Sequence, residues 1–227
     1  MIKASHRAYA HFLIRNYINY ILKRQFHSIS IIDDVPRINS DLPLIITPNH
    51  FSWWDGFFAY YLNEKTYRRK FHILMLEDRL REYPFFAKCG AFSIDRESVR
   101  SYVETFRYID ELFEKYGGRM VLFYYPQGEM KFHREEILFK KGLGRLLELT
   151  GRRVNLLPLA VRVELLKQQY PEIFMKFGRP IECGSSDFTG VDYLAAELSA
   201  GLGEIDRTIV SGGDRNIIMT GRKTKGG

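Results

Sequence analysis

The strongest constraint on this chain is the way its apolar runs alternate and stop. Leu44-Ile45-Ile46-Thr47 reads as a strand that Pro48 ends, and Gly56 to Asn63 then reads as a helix. The same alternation runs along the chain. Strands are expected at Ser28–Ile32, Leu44–Thr47, Phe71–Leu76, Ala91–Ile94, Met120–Tyr124, Asn155–Val163 and Phe174–Phe177. Helices are expected at Ala4–Gln25, Asp55–Asn63, Arg79–Lys88, Ser98–Tyr116, Lys141–Thr150 and Tyr193–Val210. Within Ser98–Tyr116, Val103, Phe106, Ile109, Leu112 and Phe113 recur at helical spacing and form a core stripe. Strands alternating with helices predict an α/β fold: a single domain with a mixed, largely parallel sheet covered by helices, plus an N-terminal amphipathic helix. In such sheets ligands bind beyond the carboxyl ends of the strands.

One strand end carries a recognisable chemistry. Asn49-His50-Phe51-Ser52-Trp53-Trp54-Asp55 lies between the Leu44 strand and the next helix, so His50 and Asp55 share one turn. A carboxylate that accepts a hydrogen bond from one imidazole nitrogen fixes the tautomer and leaves the other nitrogen as a base. Such a pair can take a proton from an alcohol. Ser52 reads as a turn or capping hydroxyl, and Trp53 and Trp54 as a wall of the site or an interfacial anchor. His72 and Glu77 have the same spacing beside a second strand and are read as structural.

Three further blocks follow in fixed order. Gly90-Ala91-Phe92-Ser93-Ile94-Asp95-Arg96 is a short strand ending in a cation, and Tyr125-Pro126-Gln127-Gly128-Glu129 is a strand end with a tight turn. Leu156-Leu157-Pro158-Leu159-Ala160-Val161 is an apolar strand interrupted by proline. Together with the His50 block and Phe139-Lys140-Lys141-Gly142, they resemble the sequence blocks of the glycerolipid acyltransferase family, the lysophosphatidic acid acyltransferase-like (PlsC-like) enzymes. The resemblance spans roughly residues 28 to 180.

The resemblance implies an O-acyltransferase. His50 would be the general base and Asp55 its orienting partner. An acyl thioester (acyl-CoA or acyl-ACP) would be the donor, and a lyso-lipid such as lysophosphatidic acid or a lyso-aminolipid the acceptor. A thioester is already activated, which agrees with the lack of a G-x-S-x-G elbow. No bound cofactor and no metal are expected. Arg96 would hold an acceptor phosphate, Gly128 would let backbone N–H groups approach an anion, and Lys140 would add positive potential. Gln127 and Glu129 complete the expected substrate-binding set.

The third block departs from the family. Gln127 stands where Glu is usual, and Glu129-Met130 where Thr-Arg is usual. An amide can hydrogen-bond a polyol but supplies no carboxylate, one phosphate contact is missing, and Glu129 would repel an anionic headgroup if it pointed inward. These changes motivate an alternative: a non-catalytic membrane-surface lipid-binding protein retaining the acyltransferase fold.

Charge sharpens the choice of partner. The 227 residues carry a formal charge of +7, which favours an anionic partner such as a phospholipid surface or a phosphate-bearing donor. No helix-turn-helix, RNA-recognition or zinc pattern is present, so no nucleic-acid partner is expected. The only cysteines, Cys89 and Cys183, suggest small buried side chains and a reducing compartment. No run reaches the roughly 18 apolar residues of a spanning helix, and no secretory signal is read at the start of the chain.

Residues 1–27 are basic and aromatic and read as an amphipathic helical segment. Lys3, Arg7, Arg15, Lys23 and Arg24 interleave with Tyr9, Phe12, Leu13, Tyr17, Ile21 and Phe26. Such a segment suits a membrane interface, and it equally suits an ordinary helix packed on the domain. The chain then divides into this segment, an acyltransferase domain at 28–215, and a basic flexible tail at 216–227, with a peripheral location on the cytoplasmic face of a membrane.

Overall fold

The computed structural model describes residues 1–132, 135–184 and 191–223. Its elements follow the expected alternation. The strands are β1 (Ser28–Ile32), β2 (Leu44–Pro48), β3 (Lys70–Leu76), β4 (Ala91–Ile94), β5 (Met120–Phe123), β6 (Val154–Glu164), β7 (Glu172–Phe177), β8 (Ile181–Cys183) and β9 (Asn216–Thr220). The helices are α1 (Ala8–Gln25), α2 (Asp55–Lys65), α3 (Glu77–Glu82), α4 (Val99–Tyr116), α5 (Gly142–Thr150) and α6 (Val191–Ser211). The strands form one sheet in the order β4-β3-β5-β2-β6-β7-β1-β9, with β8 pairing β6. Five of the eight pairings are parallel, so the sheet is mixed and largely parallel as expected.

Period-two alternation divides the core. In β2, Leu44 and Ile46 face one apolar cluster with Ile14, Phe57 and Phe123, while Ile45 faces another with Ile109, Leu112 and Leu146. Helices α1 and α2 therefore cover one face and α4 and α5 the other. The α4 stripe is buried at Phe106, Ile109, Leu112 and Phe113, and Val103 is half-buried. Both cysteines are buried, and neither is in a disulfide. Among the described residues no helix is long and apolar enough to cross a membrane.

Pro158 sits where β6 changes partner. Residues Val154–Leu156 pair with β8 and Leu159–Glu164 with β7, so the missing N–H falls between two antiparallel ladders.

Three expectations need correction. The first helix begins at Ala8 rather than Ala4, because the preceding residues run extended along the sheet edge. Ser93 N donates to Ile2 O, Ser5 N to Ala87 O and Arg7 N to Lys88 O, at 2.9, 2.8 and 2.9 Å. The expected helix Arg79–Lys88 is α3 followed by a 3-10 segment, Pro84–Cys89, since Pro84 interrupts it. The flexible tail does not begin at 216: residues 216–220 form β9, antiparallel to β1, and Gly221 N and Arg222 N donate to His27 O and Phe26 O. A Cβ at Gly221 would lie 2.3 Å from Phe26 O, so only glycine fits that approach. Residues 224–227 of the expected tail lie outside the described residues.

Candidate active site

The site is built at the carboxyl end of β2. Pro48 closes the strand, and the Asn49 side chain ties the turn to β6, donating to Val161 O at 3.0 Å and accepting from Val161 N at 2.8 Å. Asp55 is the first residue of α2, where the helix N-terminus favours a negative charge. Its Oδ2 accepts three hydrogen bonds: from His50 Nδ1 at 2.7 Å, Phe51 N at 3.0 Å and Ser52 N at 3.1 Å. The Ser52 hydroxyl accepts from Trp54 N and serves the turn.

An Asp55 carboxylate can only accept, which assigns the hydrogen of a neutral His50 ring to Nδ1. His50 Nδ1–H donates to Asp55, so Nε2 holds a free lone pair. The His50 side chain is 26% exposed and Asp55 5%, so the base reaches solvent and its partner does not. Burial pushes the Asp55 carboxyl above its usual range, while the hydrogen bond and charge of His50, then the Ser52 and Phe51 amides, draw it back. The buried Oδ1 has no partner among the described residues, which adds to the burial effect.

Gln127 points its amide oxygen into the His50 turn. It is buried, and its Oε1 accepts from His50 N at 2.6 Å. An amide oxygen performs this task without adding a second buried carboxylate beside Asp55. Tyr125 packs its ring 4.7 Å from that of His50 and donates its hydroxyl to Asp55 O at 3.1 Å. Lys131 N donates to His50 O at 2.8 Å. The third block thus braces the first from three positions.

The expected cations lie alongside. Arg96, exposed at the end of the edge strand β4, makes no ion pair to a described residue, neither to Asp95 nor to Glu97. Strand β4 lies three places from β2, about 14 Å at the usual strand spacing. Glu129 is engaged by Lys131 at 3.3 Å and Lys140 at 3.7 Å. Its carboxyl is held below the usual range by Lys131 first, then Lys140, with Arg96 contributing. The local balance is therefore cationic despite Glu129. Gly128 has φ +73, and a Cβ there would stand 3.0 Å from Lys140 Cδ, so glycine lets that lysine lie against the turn. The Gly128 N–H itself donates to Tyr125 O at 3.0 Å.

Sequence reasoning missed Asn49, Tyr125 and Lys131. Each stands within or beside a block, but their roles depend on cross-chain contacts that no local spacing reveals. His72 and Glu77 do not pair: His72 bonds to Lys70 O and His6, and Glu77 to Arg81. Among the described residues no group of three or more His, Cys, Asp or Glu converges as a metal site.

A histidine–carboxylate pair thus stands at the carboxyl end of a central strand of an α/β sheet, with cations on the same side. Residues 28–162 match the sequence model of the family described as Acyltransferase, and the chain belongs to that family. No curated protein matches it in sequence. Among solved structures it is similar to the 1-acyl-sn-glycerophosphate (LPA) acyltransferase PlsC from Thermotoga maritima. The TM-score is 0.58 at 15% identity, covering 86% of this chain and 79% of that one, which is a likeness of fold.

Proposed function

We propose that this acyltransferase moves a fatty acyl group from an acyl thioester to a hydroxyl of a lyso-lipid at a membrane surface. The observation that carries the reading is the His50–Asp55 pair, with Nδ1 bound and Nε2 free. His50 Nε2 takes the proton from the acceptor hydroxyl. The oxygen attacks the thioester carbonyl, the tetrahedral intermediate collapses, the C–S bond breaks, and the thiolate recovers the proton from the imidazolium. Asp55 stabilises that imidazolium. No enzyme nucleophile enters.

Arg96, Lys131 and Lys140 suit an anionic acceptor headgroup, with Arg96 offering the bidentate fork. Lys131 supplies a cation one position past Met130, where the family pattern has arginine. Coenzyme A and acyl carrier protein are both anionic donors that suit this surface.

The outer face of α1 supports membrane docking. Ala10, Ile14, Ile18 and Leu22 are buried, whereas Tyr9, Phe12, Leu13, Tyr17 and Tyr20 are exposed on the opposite stripe, followed by Lys23 and Arg24. The buried stripe accounts for the packed-helix reading, and the exposed stripe supports the interfacial one. Buried Phe57 links this stripe to the His50 turn, its ring lying 6.1 Å from Tyr17 and 5.1 Å from the exposed Trp53. A peripheral position on the cytoplasmic face would present the turn to lipid.

The test is thiol release from acyl-CoA and acyl-ACP with a panel of lyso-lipids, comparing wild type with His50→Ala. Acceptor-dependent release lost in the variant supports the reading, and the active acceptor names the headgroup. Equal release in both proteins would sink His50 as the base. Liposome binding with no release for any acceptor would favour the non-catalytic lipid-binding alternative.

A further inference from the structure

A second cluster of unspent charge lies at the opposite end of α2 from the catalytic turn. A cleft of about 380 Å³ is lined by Arg7, Arg68, Arg69 and Lys70, with His6 and His11 beside them. It opens where β3 begins, so it sits at the amino end of that parallel strand rather than the carboxyl end. The 11 residues of α2 separate it from Asp55, about 16 Å along the helix.

Little in the cleft offsets the four cations. Glu64 is its one lining carboxylate, and Arg15 holds it at 2.7 Å. Arg69 is anchored by Leu42 O at 2.7 Å and Asn39 O at 3.4 Å, two carbonyls that hold its guanidinium without neutralising its charge. The Lys70 ammonium lies 4.8 Å from the centre of the Tyr116 ring. Arg7 and Arg68 make no ion pair or side-chain hydrogen bond to any described residue. Arg68 also holds φ +52, a left-handed conformation that a residue with a Cβ adopts at a cost. The chain thus uses a strained backbone to present an arginine among like charges.

The histidines build a wall there. Tyr60 O–H donates to His11 Nδ1, His11 Nε2–H to His6 Nδ1, His6 Nε2–H to His72 Nε2, and His72 Nδ1–H to Lys70 O, at 3.1, 2.9, 3.1 and 3.1 Å. With every imidazole neutral, each ring has one donor and one acceptor, and all the bonds run in one direction. The cationic character of the cleft therefore comes from the arginines and lysine.

We propose that this cleft binds a phosphate-bearing anion at a site distinct from the catalytic turn. Arginine forks suit phosphate oxygens, and two of the cations are free to meet them. The phosphate can belong to a soluble ester or to a lipid headgroup.

The experiment measures binding rather than turnover, so its failure and failure of the catalytic reading are separable. Inorganic phosphate and pyrophosphate are titrated into the full chain by calorimetry. Cosedimentation compares neutral phosphatidylcholine vesicles with vesicles that also contain phosphatidic acid. Both arms are repeated with Arg68→Gly and Arg7→Ala/Arg68→Gly. Glycine relieves the left-handed strain, so Arg68→Gly should melt higher than wild type without ligand while binding the anion about tenfold more weakly. Saturable pyrophosphate binding weakened in both variants supports the proposal with a soluble source. A phosphatidic acid preference that both variants lose supports it with a headgroup source. Wild-type affinity in the double variant, or neither saturable binding nor lipid preference in wild type, would overturn it.

Discussion

The two ends of this sheet both hold histidine, and they use it in opposite ways. At the carboxyl end His50 gives one nitrogen to a carboxylate and keeps the other exposed. At the amino end His6, His11 and His72 spend their nitrogens on one another, on Tyr60 and on a backbone carbonyl. Burial, then the charge of His72, lowers His6 to about 3, and burial lowers His72 to about 4. A base needs a partner that tolerates the proton it takes up. Asp55 is such a partner, and a second imidazole with Lys70 and Lys115 nearby is not. The charge of the partner therefore separates the candidate base from the structural imidazoles, which histidine count does not.

The comparison breaks most sharply at His50. His50→Ala should lower acyl transfer by about 10²–10⁴-fold with the melting temperature nearly unchanged, measured by thiol release and calorimetry on the same preparation. His72→Ala should do the reverse. It removes a fully buried ring and its hydrogen bonds, so stability should fall by about 3 kcal/mol while the folded fraction keeps its rate. Denaturant melts and single-temperature assays would test this.

Acid extends the contrast. The unfolded imidazoles take up protons below about pH 6.5, whereas folded His72 resists until about 4 and His6 until about 3. The unfolded state then binds more protons, so stability that is complete above about pH 6.5 is lost as pH falls toward those values. For His72 alone the loss between neutrality and pH 4 is on the order of 3 kcal/mol. Urea midpoints across that range should fall in wild type and fall less steeply in His72→Gln, where His6 still titrates.

Smaller effects sharpen the catalytic end. Gln127→Ala leaves His50 N without its acceptor, with an expected stability loss of about 1–3 kcal/mol, and should lower kcat more than it raises KM. A change in KM alone would instead return Gln127 to the acceptor pocket. Gly128→Ala forces a Cβ into φ +73 and against Lys140. It should cost about 1 kcal/mol and shift acceptor KM more than donor KM.

Much of this was legible in the sequence, for identifiable reasons. β1 and β4 have the expected bounds, and the other expected strands differ by a residue or two, because buried parallel strands are unbroken apolar runs. β8, Ile181–Cys183, is three residues long and gave no periodicity to read. β9 was taken for tail because the basic, glycine-rich sequence after it hid Ile217, Ile218 and Met219. The His50–Asp55 pair was legible because both partners lie in one turn. The inward aim of Gln127 was not, since it depends on β5 lying beside β2. The neutralisation of Glu129 was missed for a similar reason, because Lys140 folds back from eleven residues away.

The closing strand has a consequence for biosynthesis. β1 leaves the ribosome well before β9, and His27 meets Arg222 across a separation of 195 residues. Until β9 emerges, its side of β1 is a bare row of amide and carbonyl groups, a template for pairing with another nascent chain. A chain stalled or clipped before residue 216 would keep the His50 turn and lose the cover of that edge. Aggregation, rather than loss of chemistry, would be the first symptom of such a truncation.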